Sequence, residues 1–366
     1  MLGKRMPDLH GVVTAVAPAA LPALAELRPP AGESQSERTK WWQSFLDSGP
    51  IDVSVCIANW NCREQLRACL ESLHDTPQGV RLETIVVDNG STDGAADMVA
   101  REFPEVILLR NSRNLGFARA NNQAAEQSRG RYLFFLNNDT VVPPGSLERL
   151  VHYAIAHPEI GMIGPRLRDS RGRTQISYRL RPTVGTLLHR TYLLRWTGLF
   201  RGAYRRYRRD FDPETTRPVA VLMGAAMLLP RRVFFACGRW DEKYQFGGED
   251  LDLSFQVGRR HPVIYHPAVE IIHHGRTSTR QHIGYASSQM IVGFARYLRK
   301  SGCSQPALLA YKSAVLLDAP LQLTGKFLQY AWRSARGRRQ AAAKSRLAMI
   351  GAWHLLRRGL IQFLKA

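Results

Sequence analysis

The amino-acid sequence predicts an α/β fold in which a mainly parallel sheet is flanked by helices and followed by a basic helical region at the C-terminal end. Three observations support this prediction. From Asp52 onward, strand-like apolar runs alternate with patterns of helical period. The strand-like runs are apolar at almost every position, as in strands that are covered on both faces. The 366 residues suffice for one large α/β domain with appendages, or for two domains.

The elements of the first half follow one another in the order strand, helix, strand. The first 50 residues are rich in Ala, Pro and Glu without a sustained period, so we expect a poorly ordered N-terminal extension over 1–50. The segments that come after it are Val53–Ala58 (strand), Cys62–His74 (helix), Leu82–Val87 (strand), Ala95–Phe103 (helix), Val106–Leu109 (strand), Phe117–Gln127 (helix) and Tyr132–Leu136 (strand).

Basic residues are concentrated in two parts of the chain. The sequence has 51 Lys and Arg against 30 Asp and Glu, which gives a net charge of +21. Residues 163–217 hold 14 Arg and 4 acids, and residues 301–366 hold 11 Lys and Arg and one acid, Asp318. The excess indicates an anionic partner, and composition alone leaves open whether this is nucleic acid, phosphate or a lipid surface.

Cysteine usage and hydropathy argue against several protein classes. The five cysteines are odd in number and lack CxxC spacing, so we expect neither a disulfide scaffold nor a zinc knuckle, and a reducing cytosol fits better. The N-terminus lacks a basic region followed by an apolar core and a cleavage site, so we expect no secretory signal. No stretch reaches the roughly 18 consecutive apolar residues of a spanning helix, which favours contact with a membrane surface over crossing it.

Polar side chains follow three of the predicted strands, at the edge where open α/β sheets bind ligands. Asp88 can accept hydrogen bonds from a base or a ribose, and Gly90 allows the backbone to approach a ligand; a capped turn without a ligand is the alternative. Asn114 and Gly116 precede the next helix, whose free N–H groups and Arg119 could face a phosphate, the alternative being a plain helix cap.

The fourth predicted strand, Tyr132–Leu136, is followed by Asn137, Asn138 and Asp139 and then by a Pro-Pro-Gly turn. A carboxylate beside amides at a strand end suits a hard divalent ion that keeps several waters and bridges a diphosphate. We therefore expect Mg²⁺ or Mn²⁺ as the cofactor.

Seven short blocks, taken in order, resemble family 2 glycosyltransferases of the GT-A fold, and among them the bacterial rhamnosyltransferase-like members. The blocks are VSVCIANWNC, IVVDNGSTDG, NLGFARANN, FFLNNDT, MGAAMLLPRRVF, GRWDEKYQFGGEDLDLSFQVGRR and HHGRTS, which together extend over 52–278. The resemblance implies a GT-A domain over 51–295, with a nucleotide-binding half (51–145) and an acceptor half (146–295) that carries the basic insert 163–217. Residues 296–366 would form a separate basic helical region.

The resemblance also implies site residues. The metal motif of the family, DxD, begins here with Asn137, which leaves Asp139 as the main carboxylate ligand. The residues implied in nucleotide-sugar binding are Ala58, Asn59, Asn61, Asp88, Gly90, Asn114, Gly116, Arg119, Asn137, Asn138 and Asp139. A histidine, His273 or His274, would complete the metal shell or neutralise leaving-group charge, and strand alternation slightly favours His274; a structural histidine is the alternative.

The second half carries the predicted reacting groups. Inverting sugar transfer needs a general base that removes the proton of the acceptor hydroxyl as its oxygen attacks the anomeric carbon. By resemblance, Asp250 of the GGED block is this base and Glu249 orients Asp250 or the acceptor; a helix cap followed by solvated acids is the alternative. Gly224, Trp240 and Asp241 would line the acceptor side, unless these blocks serve packing, in which case Trp240 is a core residue.

The C-terminal tail contains three predicted amphipathic segments, 312–323, 326–335 and 347–364, with aromatic residues among cations. Such helices lie in a membrane interface, and we favour membrane contact over a helical subdomain with a solvated basic rim. The expected location is the cytoplasm, peripheral on the cytoplasmic face of the inner membrane.

These inferences predict an inverting glycosyltransferase. The donor would be dTDP-rhamnose or a UDP-sugar, and the acceptor a cell-surface polysaccharide or a polyprenyl-diphosphate-linked glycan, with no nucleic acid as partner. The alternative from another class is a non-catalytic protein that binds nucleic acid or an anionic surface through a degenerate α/β core. A Rossmann oxidoreductase is disfavoured because no GxGxxG follows the first strand.

Overall fold

The computed structural model describes residues 51–75, 79–209, 211–275 and 283–366. The predicted N-terminal extension, 1–50, and the last three residues of the HHGRTS block lie outside these ranges. Strands are β1 (Val53–Asn59), β2 (Leu82–Asp88), β3 (Ile107–Arg110), β4 (Tyr132–Leu136), β5 (Thr140–Val141), β6 (Met162–Arg168), β7 (Tyr178–Arg179), β8 (Arg217–Pro218), β9 (Val221–Leu222), β10 (Ala226–Pro230) and β11 (Val263–His273).

Helices flank these strands and make up the C-terminal part. They are α1 (Arg63–His74), α2 (Ala95–Glu102), α3 (Phe117–Gln127), α4 (Ser146–Ala156), α5 (Val184–Leu188), α6 (Tyr192–Thr197), α7 (Arg201–Arg209), α8 (Arg231–Ala236), α9 (Glu249–Val257), α10 (Ile283–Lys300), α11 (Gln305–Ala335), α12 (Arg339–His354) and α13 (Leu360–Lys365), with a π-helical segment (Leu355–Gly359) between the last two.

One large sheet organises the molecule, in the order β3-β2-β1-β4-β10-β6-β11-β5, with β8 paired to β11. Strands β1, β2, β3 and β4 run parallel, as do β6 and β11. Strand β10 is antiparallel to both β4 and β6 and so joins the two parallel parts. The predicted fold class, a mainly parallel α/β sheet with flanking helices and a helical C-terminal region, is confirmed. The proposed boundaries at 145/146 and 295/296 stay predictions.

Both faces of the sheet are buried, which explains the continuous apolar strands. Neighbouring residues of a strand point to opposite faces. Phe134 therefore packs with Leu150 of α4 in one core, whereas Phe135 packs in the other core against Phe234 of α8, with ring centroids 4.9 Å apart.

The C-terminal helices enclose a third core, which includes Leu187 of α5, Leu251 of α9 and Phe294 of α10. Helix α11 runs unbroken for 31 residues, although the sequence suggested two segments interrupted near residue 325. Gly325 is a poor helix former, but it allows the ring of Tyr192 to pack against the helix, because a β-carbon at this position would lie 2.9 Å from the Tyr192 hydroxyl.

Candidate active site

The carboxyl ends of β1, β2 and β4 lie side by side, and a hydrogen-bond network joins their last residues. Asn59 donates through Nδ2 to Oδ1 of Asp88 (3.1 Å), and its Oδ1 accepts from Nδ2 of Asn138 (2.7 Å). The other oxygen of Asp88 accepts the N–H of Ser91 (3.0 Å). All three predicted residues are buried. The structure thus fixes the direction of Asp88 with one partner on each oxygen and leaves each oxygen capacity for another donor.

The geometry of the turn after β2 explains why residue 90 is a glycine. Its φ is +75°, and a β-carbon there would lie 2.6 Å from Cα of Arg113. The close approach that requires glycine is therefore to the backbone of residue 113. Asn61, at φ +50°, holds the same turn by accepting the N–H of Thr92 (2.8 Å), while Ala58 is half-buried near the end of β1.

The loop before α3 is tied to this turn by Asn89, which the sequence reasoning did not single out. Its Nδ2 donates to Oδ1 of Asn114 and to the carbonyl oxygen of Gly116, both at 3.2 Å. Its Oδ1 accepts the N–H of Leu115 (3.1 Å). Arg119, one helical turn further on, is 55% exposed and lies 3.9 Å from a carboxylate oxygen of Glu242.

A second polar cluster forms where β5 pairs with the end of β11. Nε2 of His273 lies 3.4 Å from Oδ1 of Asp139 and 3.5 Å from Nδ2 of Asn137. His274 contacts Asp139 only through its backbone N–H, which donates to the carbonyl oxygen (2.9 Å), and its side chain is exposed. The structure therefore places His273, and not the slightly favoured His274, beside the carboxylate.

Gln175, in the basic insert, fixes the ring of His273 from the other side. Its Oε1 lies 3.0 Å from Nδ1, and its Nε2 donates to the backbone oxygen of His273 (2.6 Å). With the amide oriented in this way, Nδ1 carries the hydrogen and Nε2 keeps a lone pair, which can accept from Nδ2 of Asn137 or ligate a metal ion. No local signal identified Gln175 because it lies 98 residues from its partner.

The GGED block makes a sharp turn into α9. Gly247 and Gly248 have φ of +80° and +97°, which bring Glu249 and Asp250 to the first turn of the helix. Oε2 of Glu249 is buried and has no hydrogen-bond partner among the described residues. This burial, together with repulsion from Asp250, raises the pKa of Glu249 to about 8. A β-carbon on Gly224 would lie 3.4 Å from Cβ of Asp250, so the structure brings these two predicted residues together.

Comparison with known proteins shows the family of this chain. The model of the glycosyl transferase family 2 matches residues 54–234. The N-acetylglucosaminyl-diphospho-decaprenol L-rhamnosyltransferase of Mycobacterium tuberculosis is 31% identical over 230 residues, which cover 59% of this chain and 73% of that protein. This chain belongs to glycosyltransferase family 2. The protein is thus an enzyme, an inverting glycosyltransferase, and the alternative of a non-catalytic binding protein is wrong.

Two further proteins resemble this family 2 glycosyltransferase. The O-antigen biosynthesis protein RfbC of Myxococcus xanthus is 29% identical over 244 residues, which cover 63% of this chain and 18% of that protein. The structure of the mannosyltransferase PcManGT from Pyrobaculum calidifontis in complex with GDP-Man and Mn2+ has 16% sequence identity and a TM-score of 0.48, and the match covers 87% of this chain and 94% of that one.

The donor set of the glycosyltransferase fits a divalent ion that a substrate helps to hold. Asp139 and His273 offer one oxygen and one nitrogen, and Gln175 orients the nitrogen, as partners of metal-bound histidines do. In the described ranges no three His, Cys, Asp or Glu side chains converge on one point. One carboxylate oxygen and one imidazole nitrogen are ligands that Mg²⁺ or Mn²⁺ can combine with waters and substrate phosphates.

Two of the three residues predicted on the acceptor side of the glycosyltransferase, Trp240 and Asp241, contact other side chains of the protein. Trp240 is 2% exposed and packs edge-on against Phe135, with the ring centroids 5.1 Å apart, as the packing alternative expects. Its role on the acceptor side stays a prediction. Nζ of Lys300 lies 3.0 Å from Oδ2 of Asp241 and 2.7 Å from Oδ2 of the buried Asp252, so the two carboxylates share this ammonium. Burial raises the pKa of Asp252, and the ammonium of Lys300 opposes this effect.

Proposed function

We propose that this glycosyltransferase transfers a sugar from a dTDP- or UDP-linked donor to a cell-surface polysaccharide or a polyprenyl-diphosphate-linked glycan. Rhamnose from dTDP-rhamnose is the preferred donor. The rhamnosyltransferase named for N-acetylglucosaminyl-diphospho-decaprenol, with 31% identity, supports both choices. The family assignment leaves the sugar and the acceptor to experiment.

The observation that carries this proposal is the network Asp88–Asn59–Asn138, which continues through the neighbouring Asp139 to His273. In the proposal, Asp88 binds the nucleoside, because its oxygens are fixed and can accept further hydrogen bonds. Asp139 and His273 hold Mg²⁺ or Mn²⁺ on the diphosphate. When bound, this ion offsets the negative charge of the departing nucleoside diphosphate.

The reacting groups are proposed at the start of α9. Asp250 takes the proton of the acceptor hydroxyl as the hydroxyl oxygen attacks the anomeric carbon from the face opposite the nucleotide, which gives inversion. Glu249, with its raised pKa, is largely neutral at pH 7. Its unpartnered Oε2 can therefore orient the acceptor by a hydrogen bond without adding a second negative charge beside the base.

Nucleotide binding and turnover test the proposal separately. We expect dTDP or UDP with Mn²⁺ to raise the melting temperature of the protein, and GDP to have little effect, because a ligand of the native state stabilises it. Turnover is then measured with dTDP-rhamnose or UDP-sugars and a polyprenyl-diphosphate-linked acceptor, and the anomer of the product is read by NMR.

A matched pair of variants tests the base. Asp250→Asn should lower kcat by about 10²–10⁴-fold with nucleotide affinity unchanged. Asp97→Asn, the same change at an exposed position of α2, should leave kcat unchanged. If Asp250→Asn keeps wild-type kcat, or if neither dTDP nor UDP binds, the proposed mechanism or donor is wrong.

The membrane is the remaining proposed partner. In the ranges that the structure covers, no helix is long and apolar enough to cross a membrane. We propose that the protein works in the cytoplasm at the inner face of the membrane, where the C-terminal region contacts the lipid surface and a polyprenyl-linked acceptor is found.

A further inference from the structure

Helix α11 presents an uncharged face to solvent along its whole length. It is about 46 Å long at 1.5 Å per residue. Every residue of this helix that is exposed is uncharged, while Lys312, Lys326 and Arg333 are half-buried against the protein. The large exposed side chains are Leu309, Leu317, Leu321, Phe327, Leu328 and Trp332. A soluble protein seldom leaves such a continuous apolar surface without a partner.

Helix α6 of the basic insert extends this surface. Asp318 of α11 accepts the N–H groups of Tyr192 (2.8 Å) and Leu193 (2.6 Å), which attaches the start of α6 to the middle of α11. Leu193 and Trp196 are exposed beside it, and Trp196 is 77% exposed. We call the exposed side chains of α6 and α11 together the α6–α11 face.

Cations border this face, and residues 181–209 and 301–366, which include α6 and α11, carry no exposed acid. Arg201, Arg205 and Arg206 are exposed on α7, directly after α6. At the other end, the guanidinium groups of Arg336 and Arg338 lie 4.4 and 5.4 Å from the ring of Trp332. Residues 181–209 contain no acid, and the single acid of 301–366 is buried at position 318. A cationic rim around an apolar surface matches a membrane with anionic headgroups.

We propose that the α6–α11 face lies in the interfacial layer of an anionic lipid membrane. This deepens the membrane partner of the proposed function, on which it rests, and moves the contact from the tail as a whole to one helix of the tail and one of the insert. A second copy of the chain fits less well, because two such faces would bring their cations together without an acid to pair them.

One helix connects this face with the start of α9. In α10, a β-carbon on Gly293 would lie 2.4 Å from the carbonyl oxygen of Gly247, so α10 packs directly on the glycine turn before Glu249. Met290 of α10 also contacts Arg190, two residues before α6. Membrane contact at α6 and catalysis at α9 are thus supported by the same helix.

Helix α12 offers a matched control. It also exposes a tryptophan and a leucine, Trp353 and Leu347, but Lys344 and Arg346 are exposed among them. The test variant is Trp196→Ser/Leu328→Ser, and the control variant is Trp353→Ser/Leu347→Ser. All four positions are exposed, so neither variant removes a core side chain.

Sedimentation with vesicles measures the partition of each protein. Wild type should bind vesicles of equal parts phosphatidylglycerol and phosphatidylcholine, and bind pure phosphatidylcholine more weakly. The Trp196→Ser/Leu328→Ser variant should bind the anionic vesicles at least about tenfold more weakly than wild type, and the α12 variant should bind them like wild type. Both variants should bind dTDP or UDP like wild type.

Three outcomes would overturn the proposal. The first is that wild type does not bind the anionic vesicles. The second is that both variants lose vesicle binding equally. The third is that wild type is a dimer in analytical ultracentrifugation and that the Trp196→Ser/Leu328→Ser variant alone is a monomer, while it binds vesicles like wild type. Failure of the proposed function would instead appear as absent nucleotide binding or turnover, whatever the vesicle result.

Discussion

The charge state of Glu249 can be tested through the pH dependence of stability. Its pKa is raised from 4.5 in the unfolded chain to about 8 in the folded protein. The folded state therefore holds a proton that the unfolded state has released between these two pH values, so wild-type stability falls as pH rises through this window. Glu249→Gln keeps the shape of the protonated carboxyl and cannot ionise.

The magnitude follows from the size of the window. Each pH unit between the two pKa values changes the free energy of unfolding by about 1.4 kcal/mol. From pH 5.5 to 7.5, Glu249→Gln should gain about 3 kcal/mol of stability relative to wild type, to be measured by urea denaturation at both pH values. Glu159→Gln, at an exposed position of the α4–β6 loop, is the control and should show a constant difference from wild type.

If the free energy of unfolding differs between Glu249→Gln and wild type by the same amount at pH 5.5 and at pH 7.5, this reasoning is refuted, because Glu249 would then ionise at the same pH in the folded and unfolded chain.

Asp250→Asn supplies a second check. It removes the neighbouring negative charge that helps to raise the pKa of Glu249, so the pH dependence that Glu249→Gln abolishes should become smaller in this background.

Three further substitutions have defined outcomes. Asp139→Asn should weaken Mn²⁺ binding by at least about tenfold in the presence of dTDP or UDP, as measured by electron paramagnetic resonance of the free ion. An unchanged Mn²⁺ affinity would exclude this carboxylate as a ligand. Gln175→Leu should weaken Mn²⁺ by about 10–100-fold through the loss of His273 orientation, with unchanged urea stability separating positioning from folding. Asp318→Ala should lower the free energy of unfolding by about 2–4 kcal/mol, because two N–H groups of α6 lose their acceptor; an unchanged urea midpoint would contradict the contact.

Periodic signals made the fold readable from the sequence. The predicted helix Phe117–Gln127 and the strand Tyr132–Leu136 have the bounds found in the structure, since the helix has a helical period, the strand is a continuous apolar run, and polar residues or glycine flank both. The interruption predicted near Gly325 was wrong, because the packing of Tyr192 there depends on a contact between residues far apart in sequence.

The candidate site was readable only in part. The position of Asp88 and Asp139 at one edge of the sheet was predictable, because both follow buried strands and parallel strands bring such positions together. The burial of Trp240 in the core did not follow from the sequence, because a motif does not tell which face a side chain takes. Gln175 and the burial of the Glu249 carboxyl were not predicted, because orientation and burial arise from tertiary structure.

The contact between Asp318 and α6 has a consequence for the order in which the protein is completed during synthesis. Thr191 caps one N–H of α6 from its own neighbourhood, but the first two N–H groups have an acceptor 126 and 125 residues later in the chain. At about 5–20 residues per second, a ribosome needs roughly 6–25 s to reach it. The last strand of the sheet, which ends at His273, is therefore synthesised before α6 can gain this acceptor, and a transcript truncated before codon 318 yields a protein in which the start of α6 lacks it.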